Sequence, residues 1–106
     1  MSETHSSAPQ LDHERLDAYT AAVALDALVV ALTRSASRGH AWLADQAQRA
    51  SASVVLNLAE ALGREGADRA RMLRIAKGSA LELDAALTLL AQRGLVGWRR
   101  AWKREG

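Results

Sequence analysis

No cysteine occurs in the chain, which excludes disulfides and thiolate chemistry. That absence fits a reducing cytoplasm, the expected location. Phenylalanine is also missing, and aromatics make up only 4% of the 106 residues. Any core must therefore be built from aliphatic side chains. The single proline, Pro9, precedes the first periodic segment, so nothing from Leu11 onward interrupts a helix. The most apolar run, Ala21 to Leu32, falls short of the roughly 20 residues a bilayer span needs, and Asp26 interrupts it. No membrane attachment is expected. Met1 to Gln10 is polar and lacks the apolar stretch of a signal peptide.

What the chain does have is alanine, leucine and valine, which dominate its 49% apolar content. Alanine and leucine favour helices, and alanine lets helices approach closely. The length suits one domain, and so short a chain buries little surface unless it oligomerises. Charge is unevenly spread. Residues 1–63 carry four arginines against seven acids, whereas residues 64–106 carry ten basic residues against five acids. A basic half makes a polyanion a plausible partner.

Periodicity divides the chain into a disordered tail (1–10), a helical bundle (11–94) and a short basic segment rich in Trp and Arg (95–106). The first helix is expected over Leu11 to Arg34, with Leu16, Tyr19, Val23, Ala27 and Val30 sharing a face. Leu25, Leu28, Val29 and Leu32 fill other faces, so this helix is apolar nearly all round. Small polar residues from Ser35 to Gly39 form a loop. The second helix is expected over His40 to Leu62, stopped by Gly63. A third runs from Asp68, whose carboxylate suits a helix start, to Arg93, where Gly94 ends it. The fold class is all-α: an antiparallel up-and-down bundle of three long helices plus a short C-terminal helix.

The second helix is the most informative. At 100° per residue, Arg49, Ser53, Asn57, Glu60 and Arg64 fall on one stripe. The opposite face, Leu43, Ala47, Ala50, Val54, Leu58 and Ala61, reads as core. The remaining perimeter should be wet in a lone subunit, yet it holds Ala52, Val55, Leu56, Ala59 and Leu62. A helix apolar on two sides lies between neighbours. Ala52, Val55, Leu56 and Ala59 are therefore the expected subunit interface. Arg49, Asn57 and Glu60 would then be partly buried and need partners. Ser79 and Glu82 on the third helix complete a structural polar network with Arg49, Ser53, Asn57 and Glu60.

Other chemistry is thin. Glu60 and Glu82 could pair as acid and base, but no nucleophile or metal set accompanies them. His5, His13 and His40 lack metal-ligand spacing, and Gly63 with Gly66 lacks the Lys-Ser/Thr ending of a phosphate loop. Hence no enzyme, cofactor or metal is expected. Arg64, Arg69, Arg71, Arg74 and Lys77 surround the start of the third helix. They either contact phosphates or form a solvated face paired with Glu65 and Asp68. In the last segment, Trp98 and Trp102 at i and i+4 sit among Arg99, Arg100, Lys103 and Arg104. Such aromatics can stack on bases or lie in a membrane interface; docking on the bundle or a neighbouring subunit is the favoured reading.

Two stretches carry a family resemblance. Asp45-Gln46-Ala47-Gln48-Arg49-Ala50-Ser51-Ala52-Ser53-Val54-Val55-Leu56-Asn57-Leu58-Ala59-Glu60 resembles the pattern D-Q-L-R-R-A-A-x-S-I-x-x-N-I-A-E-G. Leu73 to Leu83 resembles F-L-x-I-A-x-G-S-L-x-E-L. Both point to the four-helix-bundle proteins of intervening sequences in bacterial 23S ribosomal RNA genes, a family that includes the accessory variability determinant of diversity-generating retroelements. The resemblance implies an antiparallel bundle assembling as a homopentameric barrel. For the retroelement branch it also implies a basic surface that binds RNA or DNA and a reverse transcriptase. This chain departs from the pattern at Val55, where proline is common, and at Gly63, where the glycine comes later. Its segment after Gly94 is also shorter than the family's fourth helix.

Overall fold

The computed structural model describes the backbone of residues 2–34, 36 and 39–95, and side chains within those ranges from His13 onward. Three helices follow in order: α1 (Ser2–Thr33), α2 (Ala41–Leu62) and α3 (Gly66–Gln92). No strand occurs among the described residues. Short connections force antiparallel neighbours. α2 is the middle helix, packed on one side against α1 and on the other against α3.

α2 earns its position by composition. Leu43, Ala44, Ala47, Ala50, Ser51, Val54 and Ala61 are buried at helical spacing. Small side chains dominate that set, so two helices can approach it closely. The core gathers where the C-terminal ends of α1 and α3 meet the start of α2. Val29 comes from α1, Leu43, Ala47 and Ala50 from α2, and Leu83, Ala86, Leu90 and Ala91 from α3. Along α3, Met72, Ala76, Ser79, Leu83, Ala86 and Leu90 are buried at helical spacing, Leu87 is half-buried, and Ile75 is 39% exposed.

α1 differs from expectation in two ways. It begins at Ser2, so residues 2–10 are helical backbone that continues through Pro9. The stripe read from periodicity is also only partly covered. Leu16, Val23 and Ala27 are exposed, while Ala22, Val29 and Thr33 are buried and Tyr19, Asp26 and Val30 half-buried. Polar anchors decide the matter. The Ser51 hydroxyl donates to the Asp26 carboxylate at 2.9 Å. The Gln48 amide donates to the Thr33 hydroxyl at 2.9 Å, and that hydroxyl donates to the Val29 carbonyl at 2.7 Å. A helix apolar all round can rotate at little hydrophobic cost, so two satisfied polar pairs fix which side faces α2.

The bilayer argument from length also needs correction. His13–Thr33, 21 residues, is long and apolar enough to cross a membrane, and only 17% of the qualifying window is buried within the chain. Length and composition are shared by a helix sandwiched between protein surfaces. Within the chain, its Asp26 and Thr33 are held by hydrogen bonds from α2.

The helix ends are closed by backbone geometry. α2 ends at Gly63, whose N–H donates to the Glu60 carbonyl at 3.1 Å. α3 starts at Gly66 rather than Asp68, with Glu65 as the capping residue and Asp68 in the first turn. It stops at Gly94 (φ 72°), where the Gly94 N–H reaches the Ala91 carbonyl at 3.0 Å and the Leu95 N–H reaches the Leu90 carbonyl at 2.9 Å. This doubled turn, with a left-handed glycine, returns Leu95 to the core cluster. Gly94→Ala should lower stability by about 1–2 kcal/mol, the cost of placing a Cβ in that backbone region. A urea midpoint equal to the parent would contradict that role for the glycine.

Candidate nucleic-acid and subunit interfaces

The polar stripe of α2 resolves into separate local groups. Ser53 and Ser79 share a hydrogen bond of 2.7 Å between α2 and α3. Asn57 donates to the Ser53 carbonyl at 2.8 Å and to its hydroxyl at 3.1 Å. These three residues form one half-buried to buried chain. Arg49 stands apart: its side chain is 75% exposed and pairs with Asp45 at 2.9 Å, one turn earlier. Glu60 pairs with Arg64 at 3.2 Å. Glu82 is exposed and makes no hydrogen bond or ion pair among the described residues. The expectation that Arg49 and Glu60 are partly buried therefore does not hold within one chain, because no helix of that chain covers their side of α2. Glu60 and Glu82 are not brought together as an acid–base pair.

The basic residues around the start of α3 divide by employment. Arg64 reaches Glu60 at 3.2 Å and Asp68 at 3.7 Å. Arg69 donates through Nε to the Ala61 carbonyl at 2.9 Å and through a terminal nitrogen to the Leu62 carbonyl at 3.4 Å. It thereby satisfies carbonyls at the C-terminal end of α2, where a cation also suits the helix dipole. Sequence spacing gave no sign of that structural duty. Arg71, Arg74 and Lys77 are exposed and make no hydrogen bond or ion pair among the described residues. They stand at i, i+3 and i+6, within an arc of about 120° and over about 9 Å of helix axis. Arg99, Arg100, Lys103 and Arg104, with both flanking tryptophans, lie outside the described residues.

Two apolar surfaces stay open. On α2, Ala52, Leu56 and Ala59 are exposed and Val55 is half-buried; Leu56 reaches 64%. At the end of this stripe Leu56, Ala59, Glu60, Gly63 and Arg64 line a shallow, open groove of about 470 Å³. On α1 every exposed residue from Thr20 to Ala31 is apolar apart from Thr20 itself: Ala21, Val23, Ala24, Leu25, Ala27, Leu28 and Ala31. Between α1 and α3 runs a second groove, of about 380 Å³, lined by Leu25, Leu28, Val29, Leu32 and Leu87 with Asp84 and Thr88.

No group of three or more metal-ligating side chains occurs among the described residues. His13 is exposed, and His5 has no described side chain. His40 caps α2 with a buried Nδ1 that lacks a hydrogen-bond partner among the described residues.

An all-helical antiparallel bundle with apolar outer faces and a basic stripe is thus the class of protein defined. The family model for 23S rRNA-intervening sequence proteins matches residues 14–101. The chain belongs to that family. No curated protein and no solved structure matches it.

Proposed function

We propose that this chain is a non-enzymatic, self-assembling bundle that holds nucleic acid by its phosphates. The observation that carries the nucleic-acid reading is the contrast along α3. Arg64 and Arg69 serve the fold, whereas Arg71, Arg74 and Lys77 are exposed without a protein partner among the described residues. Their axial run of about 9 Å is comparable to two or three phosphate steps of one strand. Arginine and lysine on a helix offer backbone contacts without base readout, so binding should be insensitive to sequence.

Self-assembly is supported by the uncharged outer faces of α1 and α2. Monomeric proteins seldom leave large contiguous apolar patches in water. A homopentameric ring is the assembly this reading expects, and it would repeat the α3 stripe around one particle. Repetition matters because three phosphate contacts alone are weak. In the retroelement setting, a reverse transcriptase would be a second partner. Cytoplasmic location belongs to the same reading.

Titration of generic RNA and DNA against salt tests the phosphate contact. Three engaged phosphates per subunit predict a log–log salt slope of about −2 to −3 for each subunit in contact. The double variant Arg71→Glu/Arg74→Glu should abolish binding while leaving helicity and native mass unchanged. An absence of binding by the parent protein at low salt would instead favour the second reading. That reading is a purely structural oligomer in which the stripe serves solubility, and the same outer apolar faces support it.

A further inference from the structure

We propose that α2 pairs antiparallel, about a two-fold axis, with α2 of a second copy, and that Trp42 of each copy fills the groove lined by Leu56, Ala59 and Gly63 of the other. This rests on the self-assembly reading above and specifies the contact.

Spacing along α2 is the first argument. Trp42, Arg49, Leu56 and Gly63 recur every seven residues, and Asp45, Ala52 and Ala59 fall between them. Seven residues fall about 20° short of two helical turns, so these positions form one continuous seam. Every one of them is exposed, on the side of α2 that α1 and α3 leave uncovered. A heptad seam is what a second helix packs against.

Shape is the second. Bulk sits at one end of the seam and space at the other. Trp42, near the start of α2, is 57% exposed. At the far end Leu56, Ala59, Glu60, Gly63 and Arg64 leave a shallow, open groove of about 470 Å³, wide enough for an indole ring. Trp42 stands about 25 Å from Ala59 along its own helix, so it does not reach that groove itself. An antiparallel copy brings knob and groove together twice, once on either side of the two-fold axis. Setting Trp42 against Ala59 also sets Arg49 against Ala52 and Asp45 against Leu56.

Charge is the third. Asp45 pairs with Arg49 at 2.9 Å, and Glu60 with Arg64 at 3.2 Å. The seam and its groove are therefore neutral, so two copies do not repel and a charged partner gains little. Antiparallel pairing sets the positive end of each helix beside the negative end of the other. Arg64 at the groove rim supplies a cation for the face of the docked indole. A two-fold contact is complete with two copies. It joins chains, or rings of chains, in pairs; ring closure itself would use another surface, for which the uncharged face of α1 is open.

The chain has no cysteine, so introduced thiols report this contact alone. Asp45→Cys/Leu56→Cys places two thiols about 16 Å apart on one helix, too far to bridge within a chain. Across the antiparallel pair they face each other, so oxidation of the full chain should give a covalent dimer and nothing larger. Each single variant should stay one chain. A ladder of higher masses would mean head-to-tail contacts and would overturn the proposal. So would a dimer of Asp45→Cys alone, which marks parallel helices. An oligomeric parent whose double variant fails to cross-link refutes this pairing and leaves self-assembly standing, whereas a parent of single-chain mass removes both.

Dissociation constants give a second measurement. Trp42→Ala should weaken association roughly tenfold or more, as loss of an interface tryptophan does. Helicity should stay the same, because Trp42 is exposed in the lone chain. Trp42→Phe should recover part of the loss. A dissociation constant unchanged by Trp42→Ala would show that the indole is no anchor.

Discussion

Replacing Leu90 with alanine should destabilise the bundle by about 2–5 kcal/mol, the range seen when a fully buried leucine is truncated and its cavity only partly collapses. Leu90 has no exposed surface and sits in a cluster fed by all three helices. Its carbonyl also receives the Leu95 N–H that closes α3. A small domain has about 5–15 kcal/mol in total, so this loss takes a large part of it. Urea unfolding followed by circular dichroism would show a much lower midpoint. Leu89, next in sequence and 37% exposed, supplies the comparison. Leu89→Ala should cost well under half as much. Equal effects of the two would mean that the bundle's packing is placed on the wrong face of α3. Protein concentration must be fixed throughout, because the proposed assembly would couple to folding.

The burial of Leu90 is legible in the sequence, although the exposure of Leu89 is not singled out by it. α3 alternates buried and wet positions at helical spacing, so Leu83, Ala86 and Leu90 separate from Asp84, Thr88 and Gln92 by pattern alone. The core face of α2 was legible for the same reason. α1 was not, because a helix apolar on every side carries no periodic signal to orient it. Its orientation rests on Asp26 and Thr33, two polar residues in an apolar run, which meet Ser51 and Gln48. An isolated carboxylate in such a run was the available clue, and it points inward rather than to solvent. The start of α1 was missed because residues 2–10 are too polar to show an apolar stripe, yet they continue the helix.

The candidate interfaces were legible to a similar, partial degree. Clustering identified the basic residues near α3, but charge alone does not reveal employment. Arg69 reaches carbonyls eight and seven positions earlier only because the Gly63–Gly66 turn folds α3 back on α2. Ser53 and Ser79 could be paired from their matching positions at the edges of two apolar faces. Arg49 and Glu60 found partners one turn away on their own helix instead. Within one chain those ion pairs are exposed and contribute little.

If the chain assembles as proposed, Leu56→Glu should convert it into a folded monomer of 11.4 kDa. Within the lone chain Leu56 is 64% exposed, so a carboxylate there meets water and barely disturbs the fold. In an assembly that covers Ala52, Leu56 and Ala59, the same carboxylate would lose its water and face an apolar surface. An unpaired charge in that position costs several kcal/mol. Each 1.4 kcal/mol is a factor of ten, so association should weaken by roughly a thousandfold or more. Light scattering after size exclusion reads the mass, and circular dichroism at the same concentration reads the fold. Ala59→Glu, one turn further along the stripe, should act the same way. Lys77→Glu, in the basic stripe of α3 and away from the apolar stripe of α2, should leave the mass unchanged. A parent protein that already runs at 11.4 kDa would remove the self-assembly proposal. A Leu56→Glu variant that keeps an oligomeric mass would instead place the contact on another surface, for which the uncharged face of α1 from Thr20 to Ala31 is the remaining apolar candidate.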